Sequence, residues 1–453
     1  MPPTLARTLG ARDLTLLVVG NVIGSGVFLV PALVMRQSGG SLGLSMAIWL
    51  AGGLLTLLGA MAFAELGGMD PDAGGLYAYI RDAFGALPAF LYGWTLFFVI
   101  GAGTVAGLSV AAADYLTQIV PVGPVGKRVF AVGLIAIMTA INVRGTREGA
   151  SVQNAATAIK VGAIVLMSGL LYALGTGSVG TASAGPSSVA PPLAPATMSG
   201  IGLSVISVLW AYEGWQYVTF VAGETREPQR TIPIALVAGT MILMATYLLA
   251  NGAYATALGP ITMAASERVA GDAVTAVLGP LAGQAIAAAI LVSMYSAAHA
   301  TVITVPRVYF AMAADGLFFR RLAEVHPRYG TPAVAIMSSS TVAVVLALSG
   351  TFEQLLTAVV FIGWIFYALG AAAVIALRIT RPDAARPFRV PGYPVTPLLF
   401  VLAALAIIGN TVVAQPGQSA LGLGVVALGV PAFWWWRDRR RGSRGPAPNA
   451  QPK

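Results

Sequence analysis

The chain has 453 residues, 57% hydrophobic and only 9% charged, whereas soluble globular chains carry about 25% charged residues. Most of its surface must therefore face something other than water. The absence of cysteine excludes disulfides and thiolate metal sites, and two histidines are too few for a histidine cluster, so no metal or cofactor is expected. The +9 net charge does not point to nucleic acid, because basic residues stand singly between apolar stretches and cluster only in the tail WRDRRRGSRG. From the start, MPPTLARTLGARD shows no charged stretch, short apolar core and small-residue cleavage site, so no cleaved signal peptide is expected.

A membrane-crossing helix needs about 20 mostly apolar residues. Twelve stretches qualify, at 13–36, 42–68, 84–118, 127–142, 150–174, 198–223, 232–257, 277–312, 332–350, 353–378, 395–414 and 418–436. The third and eighth are long and imply tilt or extension beyond the bilayer. The Gly-, Ser- and Pro-rich segment 175–197 reads as a loop. If residues 1–12 and the basic tail 437–453 are both cytoplasmic, 21 of the 26 basic residues fall on the inner side. The outer side keeps Arg36, Lys127, Arg128 and Arg268, and Lys160 falls inside a span. Such a bias predicts an inner-membrane protein with both ends inside, its basic tail on anionic lipid.

Two spans are poor continuous helices. Span 1 carries Gly20-Asn21-Val22-Ile23-Gly24-Ser25-Gly26-Val27, and span 6 carries Trp210-Ala211-Tyr212-Glu213-Gly214-Trp215. Interrupted backbone at membrane depth is tolerated only around a cavity or inside protein. Breaks at corresponding places in two halves mark a transporter's binding site. The first and sixth positions suggest two five-span repeats, 13–174 and 198–378, followed by a pair at 395–436. Free N–H groups of Ser25, Gly26 and Val27 suit a carboxylate. Carbonyls of Val22, Ile23, Trp210, Ala211 and Glu213 suit an ammonium group. Together they predict a receptor for an amino acid head group. The alternative for span 1 is plain small-residue helix packing.

These residues resemble the amino acid–polyamine–organocation transporter superfamily. GNVIGSGVFLVPA is similar to the first helix of its arginine/agmatine antiporters. AELGGMDPDAGGLYAYIRDAFG (64–85), AYEGWQYVTFVAGETREPQRTIPIAL (211–236) and PRVYFAMAADGLF (306–318) resemble further signatures in the family's order. The AYxGW form points to the L-type and bacterial neutral amino acid branch. The resemblance implies an all-α membrane protein of twelve transmembrane helices with a LeuT-type 5+5 inverted repeat. It further implies alternating access, and sodium-independent exchange or proton-coupled uptake. By the same resemblance, Lys160 bridges helices 5 and 1 near Val22–Gly24, where sodium-coupled cousins hold an ion; the alternative is a lysine that snorkels to the surface. Trp210 is the aromatic gate over the substrate, or an ordinary packed ring.

Glu213 stands where the L-type branch tends to have glycine. Its carboxylate either favours a cationic substrate, carries a proton, or bonds only to neighbouring helices. His299 stands where the neutral branch often has asparagine, and is either a titrating group near the substrate or a helix contact. A titrating role predicts that His299→Asn flattens the pH profile of uptake. Glu65, Asp70, Arg81, Glu224, Arg226, Arg307 and Asp315 read as a solvated ion-pair network on the inner side, and Asp114 as interfacial. Phe98, Ile100 and Gly101 in span 3, with Trp364 and Ile365 in span 10, are candidates for the side-chain pocket. Neutral L-amino acids are the leading substrates; cationic amino acids or polyamines are the alternative. No HExxH or phosphate loop is present, which argues against a zinc-dependent hydrolase or a primary pump. Lipid, the substrate and, in proton-coupled uptake, protons are the expected partners. The lack of cysteine excludes a disulfide-linked subunit, and a monomer or homodimer is expected.

Overall fold

The computed structural model describes residues 7–69, 74–117, 119–175, 193–349 and 352–443. Most of the expected loop at 175–197, Asp70 and the last ten residues lie outside these. Among the described residues all regular structure is helical, apart from one parallel bridge between Leu9 and Thr225.

The first expected span is two helices, α1 (Ala11–Val22) and α2 (Gly26–Gln37), bent by 48° about their junction. Helix α3 (Leu42–Met69) is continuous, and the short α4 (Leu76–Phe84) comes after it. A π-helical turn at Leu96–Ile100 joins α5 (Ala86–Thr95) to α6 (Gly101–Leu116) as one long span. Helices α7 (Pro124–Arg144) and α8 (Thr146–Leu174) complete the first half. The second half opens with α9 (Met198–Ala211), after which the chain continues as a tight 3₁₀ helix, Trp215–Glu224. Helix α10 (Pro228–Ala265) kinks where Gly259 takes φ 71° before Pro260. Then come α11 (Val269–Leu278), α12 (Pro280–Thr304), α13 (Pro306–Ala314), α14 (Ala333–Ser349), α15 (Phe352–Thr380), α16 (Val395–Ala414) and α17 (Pro416–Ser443).

Nine of the described helices, with joined pieces counted together, are long and apolar enough to cross a membrane, and the bent pair α1–α2 makes ten. Two expected spans are shorter. Helix α14 has 17 residues. Helix α9 has 14, or roughly 21 Å, and the 3₁₀ segment adds roughly 20 Å more. Helices α4 and α11 were not anticipated as separate elements, because neither is long or apolar enough to stand out as a span.

Burial separates an inner bundle from a rim. The α5–α6 window is 78% buried and the α12–α13 window 72%, against 17% for α7 and 22% for α17. Helix α1 packs on α8, α10, α12 and the 3₁₀ segment, so the first break is enclosed by protein. The α1 ladder stops at Ile23, whose ψ is 87°, and the Gly24 N–H turns back to the Val22 carbonyl at 2.8 Å. In the sixth span Gly214 adopts φ 112°, a conformation open to glycine and strained for other residues.

The two breaks touch at Gly26. A Cβ there would lie 2.6 Å from the Ala211 Cβ and 2.7 Å from its Cα, and backbone cannot swing aside as a long side chain can. Gly26→Ala is therefore expected to force α2 from α9, with overpacking that lowers stability by about 1–3 kcal/mol. Thermal unfolding of the purified variant checks this; a wild-type midpoint would show that the breaks separate freely.

Candidate functional site

The breaks enclose a cavity of about 60 Å³. Val22, Gly24, Ser25 and Gly26 line it from the first span, and Trp210, Ala211 and Glu213 from the sixth. Asn21 joins them, with Gly103, Thr104, Gly107 and Leu108 from α6, Ala297 from α12 and Val359 from α15. The lining is apolar or small except at Asn21, Ser25, Thr104, Trp210 and Glu213.

One wall of this cavity is an anion receptor in form. Helix α2 starts at Gly26, with Ser25 as its cap residue and no capping side-chain bond. Its first N–H groups have no partner within the helix. Among the described residues the Ser25 hydroxyl is buried and has no hydrogen-bond partner, and such groups in native structures call for an explanation. The opposite wall carries the Glu213 carboxylate, which accepts from Gln216 Nε2 at 2.9 Å and from the Tyr367 hydroxyl. Gln216 Nε2 also donates to the Tyr367 hydroxyl at 2.6 Å. The carboxylate is thus both at the cavity and tied to α15.

Protein donors already hold several of the broken-span carbonyls. Tyr247 on α10 donates to Ala211 O at 2.8 Å and Val22 O at 3.3 Å, tying the two breaks together. Ser293 Oγ lies 3.0 Å from both Ile23 O and Gly24 O. Asn21 Nδ2 donates to Gly214 O at 3.1 Å, and Thr301 Oγ1 donates to Asn21 Oδ1 at 3.2 Å.

Lys160 is fully buried and does not snorkel. Its ammonium donates to Gly20 O and Ile23 O, each at 2.6 Å, fastening α8 to the end of α1. This corrects the expectation for Ile23. That residue is not on the cavity, and its carbonyl is taken by Lys160 and Ser293 rather than left for a ligand amine. Gly214 likewise serves through its conformation and its bond from Asn21, not as cavity lining.

His299 also sits apart from the cavity. Its ring is buried, stacks on Tyr295 and places Nδ1 3.3 Å from Gln153 Oε1. Gln153 Nε2 in turn reaches Ser296 Oγ at 3.0 Å and Thr157 Oγ1 at 3.1 Å. These bonds brace α8 against α12, and they fill the space that the missing side chain of Gly20 leaves.

The side-chain wall differs from the sequence expectation. Phe98, Ile100 and Gly101 are not on the cavity; Gly103, Thr104, Gly107 and Leu108 are. The π-helical turn at Leu96–Ile100 adds a residue to its turn and rotates the α6 portion of the span about its axis. In span 10, Val359 takes the place expected of Trp364, which stacks on Phe400 instead. Asn21, Ser293 and Tyr247 were missed as site residues. Of these only Asn21 gave a local signal, an amide inside an apolar run.

Comparison with known proteins places the chain among transporters. The amino acid permease family model matches residues 9–430. The chain is 30% identical to the b(0,+)-type amino acid transporter 1 of Mus musculus over 92% of this chain and 85% of that protein. It is 28% identical to the serine/threonine exchanger SteT of Bacillus subtilis (strain 168), over 96% of this chain and 98% of the other. It is 30% identical to the human cystine/glutamate transporter, over 96% and 87% respectively.

Proposed function

Because the chain belongs to the amino acid permease family and is a multi-pass helical membrane protein, we propose that it exchanges neutral L-amino acids across the cytoplasmic membrane without sodium. In this reading it makes twelve crossings with both ends in the cytoplasm, arranged as a 5+5 inverted repeat plus two helices. The 21-to-4 distribution of basic residues supports that orientation. Alternating access moves the site between the two faces, and Trp210 closes over the substrate from outside.

The observation that carries the reading is the cavity between the two breaks. The unpartnered Ser25 hydroxyl and the first N–H groups of α2 receive the substrate carboxylate. The ammonium sits against the carbonyls of the sixth span, near Glu213. The small and apolar wall of Gly103, Gly107, Leu108, Ala297 and Val359 suits a short neutral side chain. The relatives include a serine/threonine exchanger, consistent with such a substrate. The Lys160 side-chain nitrogen occupies the position between Gly20 O and Ile23 O, which supports independence from sodium.

A second reading, a cationic amino acid or polyamine antiporter, is favoured by one observation: Glu213 is at the cavity. Its bonds to Tyr367 and Gln216 weigh against it, because they already satisfy one carboxylate oxygen. Proteoliposomes preloaded with single amino acids separate the readings. The expected result is exchange of L-serine, L-threonine or L-leucine at equal rates in sodium and choline buffers. Preference for L-arginine or putrescine would establish the second reading, and a requirement for sodium would overturn the assignment to Lys160.

A further inference from the structure

A second cavity, of about 180 Å³, lies between α11 and the start of α12, away from the central site. Its lining includes one guanidinium, Arg268, and one carboxylate, Asp272, with Thr275 and Gln284 beside them. Ser266 fixes the turn that carries both charges. Its hydroxyl accepts the Arg268 N–H at 3.0 Å and donates to Asp272 Oδ2 at 2.6 Å. Yet Arg268 and Asp272 make no ion pair with each other, and among the described residues the Arg268 side chain makes none with any other carboxylate. The opposite charges are held in one cavity without collapsing onto each other. A ligand that carries both signs at short range would bridge them.

The position leads inward. A narrow cavity shares Arg268, Gly271 and Gly283 with the first and ends on Phe28, Tyr115 and Ile290. Phe28 is one turn along α2 from Ser25, and Ile290 is one turn along α12 from Ser293, which holds the first break. In the orientation proposed above, both cavities lie on the outer side, against the same helices α2 and α12 that line the central cavity further in.

We propose that the Arg268–Asp272 cavity is an outer capture site for the zwitterionic substrate. Arg268 holds the carboxylate and Asp272 the ammonium before the molecule passes Phe28 to the breaks. Charge-assisted hydrogen bonds to both ends of the molecule are short and strong, so such a site raises the substrate concentration at the mouth by contact. The inference rests on the amino acid transport reading, and the test keeps the two apart.

The test measures initial exchange rates of radiolabelled L-leucine, L-serine and L-threonine supplied to the outer face of proteoliposomes. Arg268→Gln is expected to raise KM roughly tenfold while the maximal rate stays within about twofold. Asp272→Asn is expected to move KM the same way, and Arg268→Lys to recover part of the loss. The retained maximal rate shows that the variants are folded. An unchanged KM, or a fall in maximal rate alone, in a protein that transports would overturn the capture site. A wild type that moves none of the three amino acids would overturn the transport reading and this inference together.

Discussion

Arg307→Ala is expected to lower the stability of the solubilised protein by about 3–5 kcal/mol, the usual loss when one partner of a buried ion pair is removed. Arg307 on α13 and Glu224 at the end of the 3₁₀ segment are each 1% exposed in their side chains and meet at 2.7 Å. Arg307 Nη2 also donates to Glu224 Oε1 at 3.1 Å and to Thr146 Oγ1 at 2.9 Å, and Thr146 donates to the same Glu224 oxygen at 2.7 Å. The Glu224 backbone carbonyl receives the N–H groups of Thr8 and Leu9, and the Leu9 carbonyl receives that of Arg226. One residue thus joins the segment before α1, the sixth span, the start of α8 and α13. Alanine at 307 leaves the Glu224 carboxylate without its cation in a place water does not reach. Thermal unfolding followed by size-exclusion chromatography reads the effect. The double variant Glu224→Gln, Arg307→Met is expected to recover part of the loss, since no charge is then left unpaired. Equal stability of Arg307→Ala and wild type would show that water enters this cluster.

Lys160→Ala is expected to reduce amino acid exchange by roughly a hundredfold. The ammonium makes two short charge-assisted bonds to Gly20 O and Ile23 O, each worth about 1.5–3 kcal/mol. Tenfold in an equilibrium or rate is about 1.4 kcal/mol. Without them the end of α1 loses its tie to α8, while Ser293 and Tyr247 still hold the α2 and α9 sides of the break. The variant is therefore expected to fold and to bind substrate weakly. Exchange rate and equilibrium binding, measured on the same preparation, distinguish this from simple unfolding. Wild-type exchange by Lys160→Ala would show that the first break holds its shape without the lysine.

The backbone breaks were legible because their signal is local. Three glycines within Gly20–Gly26 and a carboxylate inside an apolar run at Glu213 are visible in the one-dimensional pattern. Seven of the residues named from that pattern, Val22, Gly24, Ser25, Gly26, Trp210, Ala211 and Glu213, line one cavity. What could not be read is the phase of each helix around its axis. In a soluble helix an apolar stripe reveals the inward face, but in lipid both faces are apolar. Ser293, Tyr247 and Tyr367 therefore look no different from neighbours that face lipid, although they hold the breaks and the Glu213 carboxylate. The π-helical turn at Leu96–Ile100 shifted the expected wall of span 3.

The inner charges show the same difficulty in another form. Sequence position placed Glu65, Arg81, Glu224, Arg307 and Asp315 near one face and suggested a solvated network. Arg81 does meet Asp315, at 2.7 Å and partly exposed, but Glu65 pairs with Arg378 at 2.6 Å and with Arg386 at 3.4 Å. Glu224 and Arg307 are buried outright. Pairs separated by more than 80 residues along the chain become neighbours only through helix packing, and composition alone carries no record of that.

The measurement closest to the central claim is counter-flow in proteoliposomes with the substrate head group altered one end at a time. Preloaded unlabelled amino acid is expected to drive uptake of its labelled form. The methyl ester, which cannot present a carboxylate to Ser25 and the start of α2, and the N-acetyl derivative, which cannot present an ammonium near Glu213, are expected neither to drive nor to inhibit it. Counter-flow driven equally well by either blocked derivative would contradict a site built from the two breaks to hold an amino acid by its head group.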